Sequence, residues 1–350
     1  MRSESMTVEE FSKQLKDNLQ GRLAEQYPGI ELESKHVTGV GFPGYEGIVI
    51  KPADVNVGTV INVEPFFEEM SEGMTFDEIL YRAREAVISK LSDIPLISTE
   101  RMTDYGQMQN KVILQVVSKE GNAERLSELP HREMEDMAVI FRVMLEEDGR
   151  GRQSSYLVNH QILEGFGVSQ DQLYSDAVSN MQKQYSIRPL FNVLADMNPV
   201  FADDPMPEPD NTLYVATNEK GMYGAGVIAL PDFMKEAGET VRGSFFVLPS
   251  SIHEVLLLKD DGHTDYRALQ EMVTAINATE VQPRDRLTDN VYHYDAVERV
   301  FETAKHFSER QMEKDMSRSS VLKDLADSRQ KAQEQPLRPR IASERGGAVL

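Results

Sequence analysis

The chain has 350 residues, which is enough for about two compact units that each bury a core without help from metals or disulfides. It contains no cysteine, which excludes disulfides, thiolate nucleophiles and cysteine-ligated metal centres. The formal charge of −21 is concentrated on residues 1–304, which carry −24, so this body repels a phosphate backbone and we expect no direct nucleic-acid binding by it.

Capping boxes predict where three helices begin. In each box the first side chain accepts a hydrogen bond from a free backbone amide, and the residue three positions later reaches back. The three pairs are Thr7 with Glu10, Thr75 with Glu78, and Ser169 with Gln172. The first helix carries an apolar residue at every fourth position, which predicts a face packed on the core. These residues are Phe11, Leu15, Leu19, Leu23 and Tyr27.

Strand patterns follow the first helix. The runs are "ESKHVTGV", "EGIVIKP" and "GTVINVEPF", separated by Gly and Pro in the manner of hairpins. A helix from Thr75 to about Ser92 and the strand-like run "KVILQVVS" come next. We therefore predict an N-terminal α+β unit over residues 1–118.

The motif "GVGFPG" at residues 39–44 lies among these strands. Its glycine spacing is that of dinucleotide-binding turns, but those turns lead from a strand into a helix, so that the pyrophosphate meets the helix N-terminus. Here a strand pattern follows, and Pro43 lies inside the motif. We therefore interpret the motif as a hairpin connection.

The rest of the chain is predicted in four parts. Residues 119–200 form a central segment with a short helix near Ala123, the apolar run "MAVIFRVML", a strand at "SSYLV" and two helices that end near Tyr185. Residues 201–210, rich in Pro and Asp, predict a linker, and residues 211–295 a β-α-β-β-α-β unit. Residues 296–335 are a charged helical extension, and residues 336–350 have the composition of a disordered tail.

These elements predict the fold class. We expect an α+β protein with mixed or antiparallel sheets, packed helices and a C-terminal helical arm.

Polar residues are concentrated in "LPHREMEDMAVIFRVML", just before its apolar run. They are His131, Arg132, Glu133, Glu135 and Asp136. On a helix, His131 and Glu135 would lie on one face, where they could share a metal or form a His–carboxylate pair. We favour the other interpretation, an ion-pair cluster that closes the end of a buried strand or helix.

A second polar group lies between two strand patterns in "FFVLPSSIHEVLLLKDDG". Ser250, Ser251, His253 and Glu254 are the residue types of a serine nucleophile with its base and acid. In a strand, Ser251 and His253 share one side while Glu254 points away, which argues against a local triad. A zinc-protease helix is excluded, because Leu257 occupies the position of its second histidine. We interpret the segment as a turn whose serine hydroxyls bond to its backbone, with a binding pocket at the strand ends as the alternative.

Several stretches make the chain resemble a known family. They are "INVEPFFEEMSEGMTFDEIL", "LPHREMEDMAVIFRVML", "ILEGFGVSQDQLYSDAVSNM", "ATNEKGMYGAGVIALP" and "FFVLPSSIHEVLLLKDDG", with "INATEV" and "VYHYD" behind it. Over most of residues 6–295 the chain resembles the uncharacterised bacterial domain-of-unknown-function family 5688. A fainter similarity, to the YtpQ-like family, is confined to "FGVSQDQLYSDAVSNM" and "VLPSSIHEVLLL". The resemblance implies no activity, but it implies that the arm from Ala296 onward is an extension, because the family members end soon after "VYHYD".

Three functions are compatible with these features. The first is a cytoplasmic, non-enzymatic binding or adaptor protein that binds a protein partner through its C-terminal arm. The second is a hydrolase or metal-dependent enzyme that uses His131, Glu135 and Asp136 together with His253 and Glu254. The third is an acidic mimic of nucleic acid.

We favour the first function. No apolar run reaches the roughly 20 residues needed to span a bilayer, and the N-terminus has no signal-peptide core, so we expect no membrane contact. From the sequence we assign no catalytic residue, no cofactor and no metal.

Overall fold

The computed structural model describes residues 6–53, 58–92, 99–145, 154–182, 184–198, 212–249 and 251–334. The helices in these ranges are α1 (Val8–Ala24), α2 (Glu64–Ser71), α3 (Phe76–Ser92), α4 (Thr99–Met102), α5 (Tyr105–Met108), α6 (Ala123–Leu126), α7 (His160–Phe166), α8 (Gln170–Met181), α9 (Leu190–Met197), α10 (Phe233–Val241), α11 (Tyr266–Thr279) and α12 (Ala304–Glu334). The strands are β1 (Glu31–Gly39), β2 (Phe42–Lys51), β3 (Thr59–Asn62), β4 (Val112–Ser118), β5 (His131–Met134), β6 (Met137–Met144), β7 (Ser155–Leu157), β8 (Tyr185–Pro189), β9 (Leu213–Asn218), β10 (Phe245–Leu248), β11 (Val255–Lys259), β12 (Tyr292–Asp295) and β13 (Val300–Thr303).

The fold is α+β with antiparallel sheets, as expected. None of the helices in the described ranges is both long and apolar enough to cross a membrane. The predicted linker at residues 201–210 and the predicted tail at residues 336–350 lie outside the described residues.

The N-terminal unit is a three-stranded sheet of order β1-β2-β3, with α1 and α3 packed on it. The predicted capping box starts α1: Thr7 Oγ1 accepts a hydrogen bond from Glu10 N at 3.2 Å, and Glu10 Oε2 accepts one from Thr7 N at 2.9 Å. Tyr27 lies beyond the end of the helix and is partly exposed. The other four residues of the predicted apolar face are fully buried: Phe11, Leu15, Leu19 and Leu23.

The remaining strands form two further sheets. One has the order β4-β6-β5, with β7 paired to β6, and the other has the order β13-β12-β10-β11-β9-β8. Apolar residues of both sheets share a core with α8 and α10. The sequence predicts β4 as the end of the N-terminal unit, yet β4 pairs with β6; likewise β8, from the predicted central segment, pairs with β9. The described chain thus has one core within residues 8–91, a larger core that two sheets share, and two smaller apolar clusters that include Leu126 and Val273.

The glycine motif is a hairpin connection, as predicted. β1 ends at Gly39 and β2 begins at Phe42, and these two residues are paired. Gly41 has a φ of +86°, and a Cβ there would lie 2.6 Å from the carbonyl oxygen of Arg284. Its N–H donates to Asn122 Oδ1 at 2.9 Å. The hairpin tip therefore contacts the larger part of the molecule.

The predicted β-α-β-β-α-β order is confirmed by β9, α10, β10, β11, α11 and β12. The predicted start of the helical extension is wrong. Residues 296–299 form a turn, β13 follows, and α12 begins only at Ala304.

Tertiary contacts explain why a helix does not begin at residue 296. Arg299 adopts a φ of +58°, and its N–H donates to the carbonyl oxygen of Asp295 at 2.7 Å. Phe301 then stacks on the ring of Tyr292, with 5.3 Å between ring centroids. Strand pairing and this aromatic contact outweigh the weak helix propensity of the segment.

Candidate functional site

The segment around His131 is a hairpin of two strands. β5 and β6 pair with Met134 opposite Met137, and Glu135 and Asp136 form the turn, in which Glu135 has a φ of +54°. The apolar and β-branched residues of β6 favour a strand. The helical arrangement considered for His131 and Glu135 is therefore wrong, because side chains alternate along a strand.

His131 and Glu133 lie on one side of β5. His131 Nδ1 is 2.9 Å from the carbonyl oxygen of Leu129, and its Nε2 is 3.6 Å from Glu133 Oε1. Lys119 forms an ion pair with Glu133, and its hydrogen bond lowers the pKa of that carboxyl below the usual range. His131 is thus bonded within its own hairpin.

Arg132 points to the other side of β5 and contacts α8. Its Nη2 lies 2.5 Å from Asp171 Oδ1, and its guanidinium lies 3.7 Å from the centroid of the Tyr174 ring. Exposed pairs of this kind contribute little to stability. The contact joins β5 to α8.

Asp136 is hydrogen-bonded to three side chains from a distant segment. Its Oδ2 accepts from Thr288 Oγ1 at 3.2 Å and from Asn290 Nδ2 at 2.8 Å, and its Oδ1 accepts from the Tyr292 hydroxyl at 2.5 Å. Burial, together with the Asp136 carboxylate, raises the pKa of Tyr292 above its ordinary value. Tyr292 therefore remains a neutral donor. The three hydrogen bonds to Asp136 connect the β5–β6 turn to β12 and to the loop before it.

Glu135 contacts the start of α12, because its Oε2 lies 3.5 Å from His306 Nδ1. Both residues and Asp136 line an open cavity of about 570 Å³, which we call the junction cavity. Its other lining residues are Lys119, Gln270, Asn290, Val291, Thr303 and Lys305. The polar groups here bond to one another as well as to solvent, since Gln270 Nε2 donates to Asn290 Oδ1 at 3.3 Å.

Residues 251–254 form a turn before β11. Ser251 Oγ donates to Glu254 Oε1 at 2.9 Å and accepts from His253 N at 3.0 Å. Ser251 is buried. The Ser251 hydroxyl therefore bonds within the turn, and it donates its hydrogen to Glu254 and not to the His253 imidazole. Ser250 lies outside the described residues.

His253 is contacted at both ring nitrogens. Nδ1 accepts from Tyr223 N at 3.2 Å, and Nε2 lies 3.6 Å from Asp285 Oδ1. Acceptance at Nδ1 places the hydrogen of the neutral ring on Nε2, on the side of Asp285. These contacts orient His253 toward the loop of residues 221–224 and not toward a serine nucleophile.

The two segments predicted to carry chemistry contact different parts of the fold. The side chain of His131 contacts Leu129 and Glu133, whereas that of His253 contacts Tyr223 and Asp285. Among the residues that the structure describes, no group of three or more His, Asp or Glu side chains is arranged to hold a metal ion. The described contacts therefore do not bring the two histidines together.

Ion pairs connect the first turns of α12 to β12, to β13 and to the turn between these two strands. Arg310 contacts Asp295, Glu298 and Glu302, and Lys314 contacts Glu298. The hydrogen bond to Glu302 raises the pKa of Arg310. We call residues 304–314 the arm root.

A buried histidine adds an apolar contact to the arm root. The ring of Phe307 stacks on His293 with 3.5 Å between centroids, and His293 is fully buried. His293 Nε2 lies 2.9 Å from Asp260 Oδ2, and this hydrogen bond lowers the pKa of Asp260. The arm root is thus held by both packing and charge.

The described side chains of α12 beyond Lys314 are exposed. We call residues 315–334 the projecting part. Its exposed large apolar side chains are Met316 (66%), Val321 (57%), Leu322 (67%) and Leu325 (58%).

Sequence reasoning missed the partners of the polar residues it singled out. Thr288, Asn290 and Tyr292 lie in "TDNVYHYD", where a polar loop before an aromatic strand was the available signal. Arg142 lies in "MAVIFRVML" and stacks over Tyr223 at 4.3 Å. Its signal was a single charge inside an otherwise apolar strand, which is unusual in a buried element.

Comparison with known families covers most of the chain. The model of a family of unknown function, DUF5688, matches residues 8–296. No curated protein and no solved structure matches the chain. The matched range includes the β5–β6 hairpin, the turn after Pro249 and β12, and it ends before β13 and α12. The chain therefore belongs to the DUF5688 family, whose function is unknown.

Proposed function

We propose that the protein is a cytoplasmic, non-enzymatic binding or adaptor protein, and that the projecting part of α12 binds a partner protein. One observation carries this proposal: ion pairs and ring stacking hold the arm root, whereas the helix continues to Glu334 with its described side chains exposed. Exposed apolar side chains grouped on a helix are typical of a protein-binding surface.

The spacing of the apolar residues indicates the kind of partner. Val321 and Leu322 lie four and three residues before Leu325, so all three lie on one side of the helix. This spacing fits a partner protein that presents an apolar groove to the helix. We call these three residues the arm patch.

Composition and charge support the other parts of the proposal. The acidic body of residues 1–304 disfavours nucleic acid as the partner, and the absence of cysteine fits a reducing compartment. The candidate catalytic side chains described above contact different neighbours, and the contacts of His131 share no residue with those of His253, which gives the enzyme hypothesis no support from geometry.

The test is affinity capture from the native host with the full chain and with the variant Val321→Glu/Leu325→Glu. We expect the wild-type chain to recover a partner after chemical cross-linking and the variant to lose it, because two carboxylates would have to enter an apolar groove.

The matched control is Met316→Glu/Ser320→Glu, which adds the same charge at exposed positions on the side of the helix opposite the arm patch. Both variants should keep the wild-type circular dichroism and urea midpoint. The proposal fails if wild type, variant and control recover the same proteins in the same amounts.

A further inference from the structure

A cavity of about 150 Å³ lies where four segments of the chain meet. It is lined by the start of β4, the end of β6, the end of α8 and the loop that follows β9. Its apolar lining residues are Ile113, Met144, Leu145, Met181 and Met222. Because three of these five are methionines, we call it the methionine cavity.

Hydrogen bonds join α8 to β4 at this cavity. Asn180 Nδ2 donates to the carbonyl oxygen of Val112 at 2.9 Å, and the N–H of Leu114 donates to Met181 Sδ at 3.0 Å. Met181 is buried. Two walls of the methionine cavity are therefore fixed relative to each other.

The loop after β9 is held in the same way. Asn218 Nδ2 donates to the carbonyl oxygen of Met222 at 2.7 Å, and Asn218 Oδ1 accepts from Lys220 N at 3.1 Å. The N–H of Glu219 donates to the carbonyl oxygen of Gln184 at 2.9 Å, which joins this loop to the segment after α8. The cavity is thus formed before a ligand arrives, so little ordering is left for binding.

The size and lining of the methionine cavity indicate the kind of molecule that fits it. Apolar protein cavities of about 150 Å³ hold a benzene ring. Thioether sulfurs make favourable contacts with the edges of aromatic rings, and the unbranched methionine side chain adapts its shape to a bound group. An aromatic ring therefore suits the methionine cavity better than a polar molecule does.

Polar residues surround the mouth of the cavity. Asn110 and Gln184 line it and are exposed, so their side-chain amides can bond to a polar group on a ligand. Glu219 and Lys220 are adjacent, exposed and opposite in charge, and Lys111 already has an interaction of its own. The mouth therefore offers no net attraction that would offset the cost of moving a charged group out of water.

We propose that the methionine cavity binds a small, neutral, aromatic molecule, whose ring contacts the methionine side chains and whose polar group lies at the mouth. The proposal is independent of the arm patch, because no residue of α12 lines this cavity.

Methionine-methyl NMR of the full wild-type chain during titration with phenol tests the proposal, because an aromatic ring shifts the signals of methyl groups that it contacts. We expect the signals of Met144, Met181 and Met222 to shift, with a Kd of about 0.1–1 mM. Met137 and Met234 are buried in the larger core and do not line the cavity, so their signals should stay unchanged.

Benzoate is the matched charged probe, because it carries a carboxylate on the same ring. We expect it to bind at least about tenfold more weakly than phenol, since its carboxylate would lose water without gaining a net attraction.

Ile113→Phe places a ring in the cavity and should weaken phenol binding by at least about tenfold. Ile187→Phe is the matched control, because Ile187 is also a partly buried strand residue but does not line the cavity. It should leave phenol binding unchanged. If Ile113→Phe does not fold, Met222→Phe fills the cavity from the loop and should have the same effect.

Four results would overturn the proposal. In the wild-type chain they are unchanged signals of all three lining methionines, equal shifts of the lining and control methionines, and benzoate binding as tight as that of phenol. The fourth is unchanged phenol affinity in a cavity-filling variant that folds. The first three need no variant, so a folding failure does not prevent the decision.

Discussion

Asp136 is the acceptor on which three donors near β12 depend. Tyr292 is fully buried, so removal of the carboxylate leaves its hydroxyl without its charged acceptor. We expect Asp136→Ala to lower the free energy of unfolding by about 3 kcal/mol, the usual cost of a buried donor that loses a charged acceptor. Urea denaturation measures this change.

Glu133→Ala is the matched control for Asp136→Ala. The Glu133 side chain is 65% exposed, so its removal should change the free energy of unfolding by less than about 0.5 kcal/mol. Equal effects of the two substitutions would show that Asp136 does not hold β12 in place.

Buried tyrosines predict how stability depends on pH. Burial is the first cause that raises the pKa of Tyr105, Tyr156, Tyr185 and Tyr292 in the folded state. Below about pH 10, the ordinary pKa of a tyrosine in the unfolded state, these tyrosines are neutral in both states and the fold keeps its full stability. Above that pH the unfolded state loses tyrosine protons that the folded state keeps, which favours unfolding. The free energy of unfolding should therefore fall steeply above about pH 10.

Tyr156→Phe removes one of these hydroxyls and should make the fall shallower, as measured by urea denaturation between about pH 9 and about pH 11. Tyr81, which is 61% exposed, is the matched position for a control substitution to Phe. A fall of unchanged slope in Tyr156→Phe would contradict the prediction.

At the scale of elements, the arm root decides whether α12 has a fixed direction. Arg310 contacts Asp295 and Glu302, both of which are mostly buried and would be left without this cation in Arg310→Ala. We expect amide hydrogen exchange across residues 304–314 to become faster in this variant, because buried carboxylates without a positively charged partner favour local opening.

Arg318→Ala is the control, since Arg318 lies in the projecting part and is exposed. It should leave exchange in residues 304–314 unchanged. Exchange at the same rate in both variants would mean that the Arg310 ion pairs do not hold the arm root.

At the scale of the whole molecule, the N-terminal core and the larger core predict separate responses to mutation. Leu15 is fully buried in the N-terminal core, and Leu257 in the larger one. We expect Leu15→Ala to destabilise the N-terminal unit by about 2–5 kcal/mol while β10 keeps its protection from hydrogen exchange. Leu257→Ala should have the converse effect.

Hydrogen exchange followed by mass spectrometry measures the amide protection of α1 and of β10 in the same sample. Loss of protection in both elements in either variant would show that the contacts at the β1–β2 hairpin tip, including Gly41 with Asn122, couple the two cores into one unit.

Local patterns in the sequence were sufficient for much of the fold. The capping box at Thr7 and the four-residue spacing of Phe11, Leu15, Leu19 and Leu23 specify α1 and its buried face, because both depend on residues close in the chain. Glycine followed by a strand pattern specifies the hairpin at residues 39–44. The helix start expected at Ala296 was wrong because strand pairing with β12, a non-local contact, outweighs propensity.

The sequence by itself determined the family, the α+β class and most helices and strands, since each depends on local spacing or on quoted motifs. Only the tertiary structure decided that Asp136 meets Tyr292, that Arg142 lies under Tyr223, and that His131 and His253 contact different neighbours. Periodicity specifies which way a side chain faces within its own element. It carries no information about which distant element packs against that face, and the candidate sites lie at such contacts.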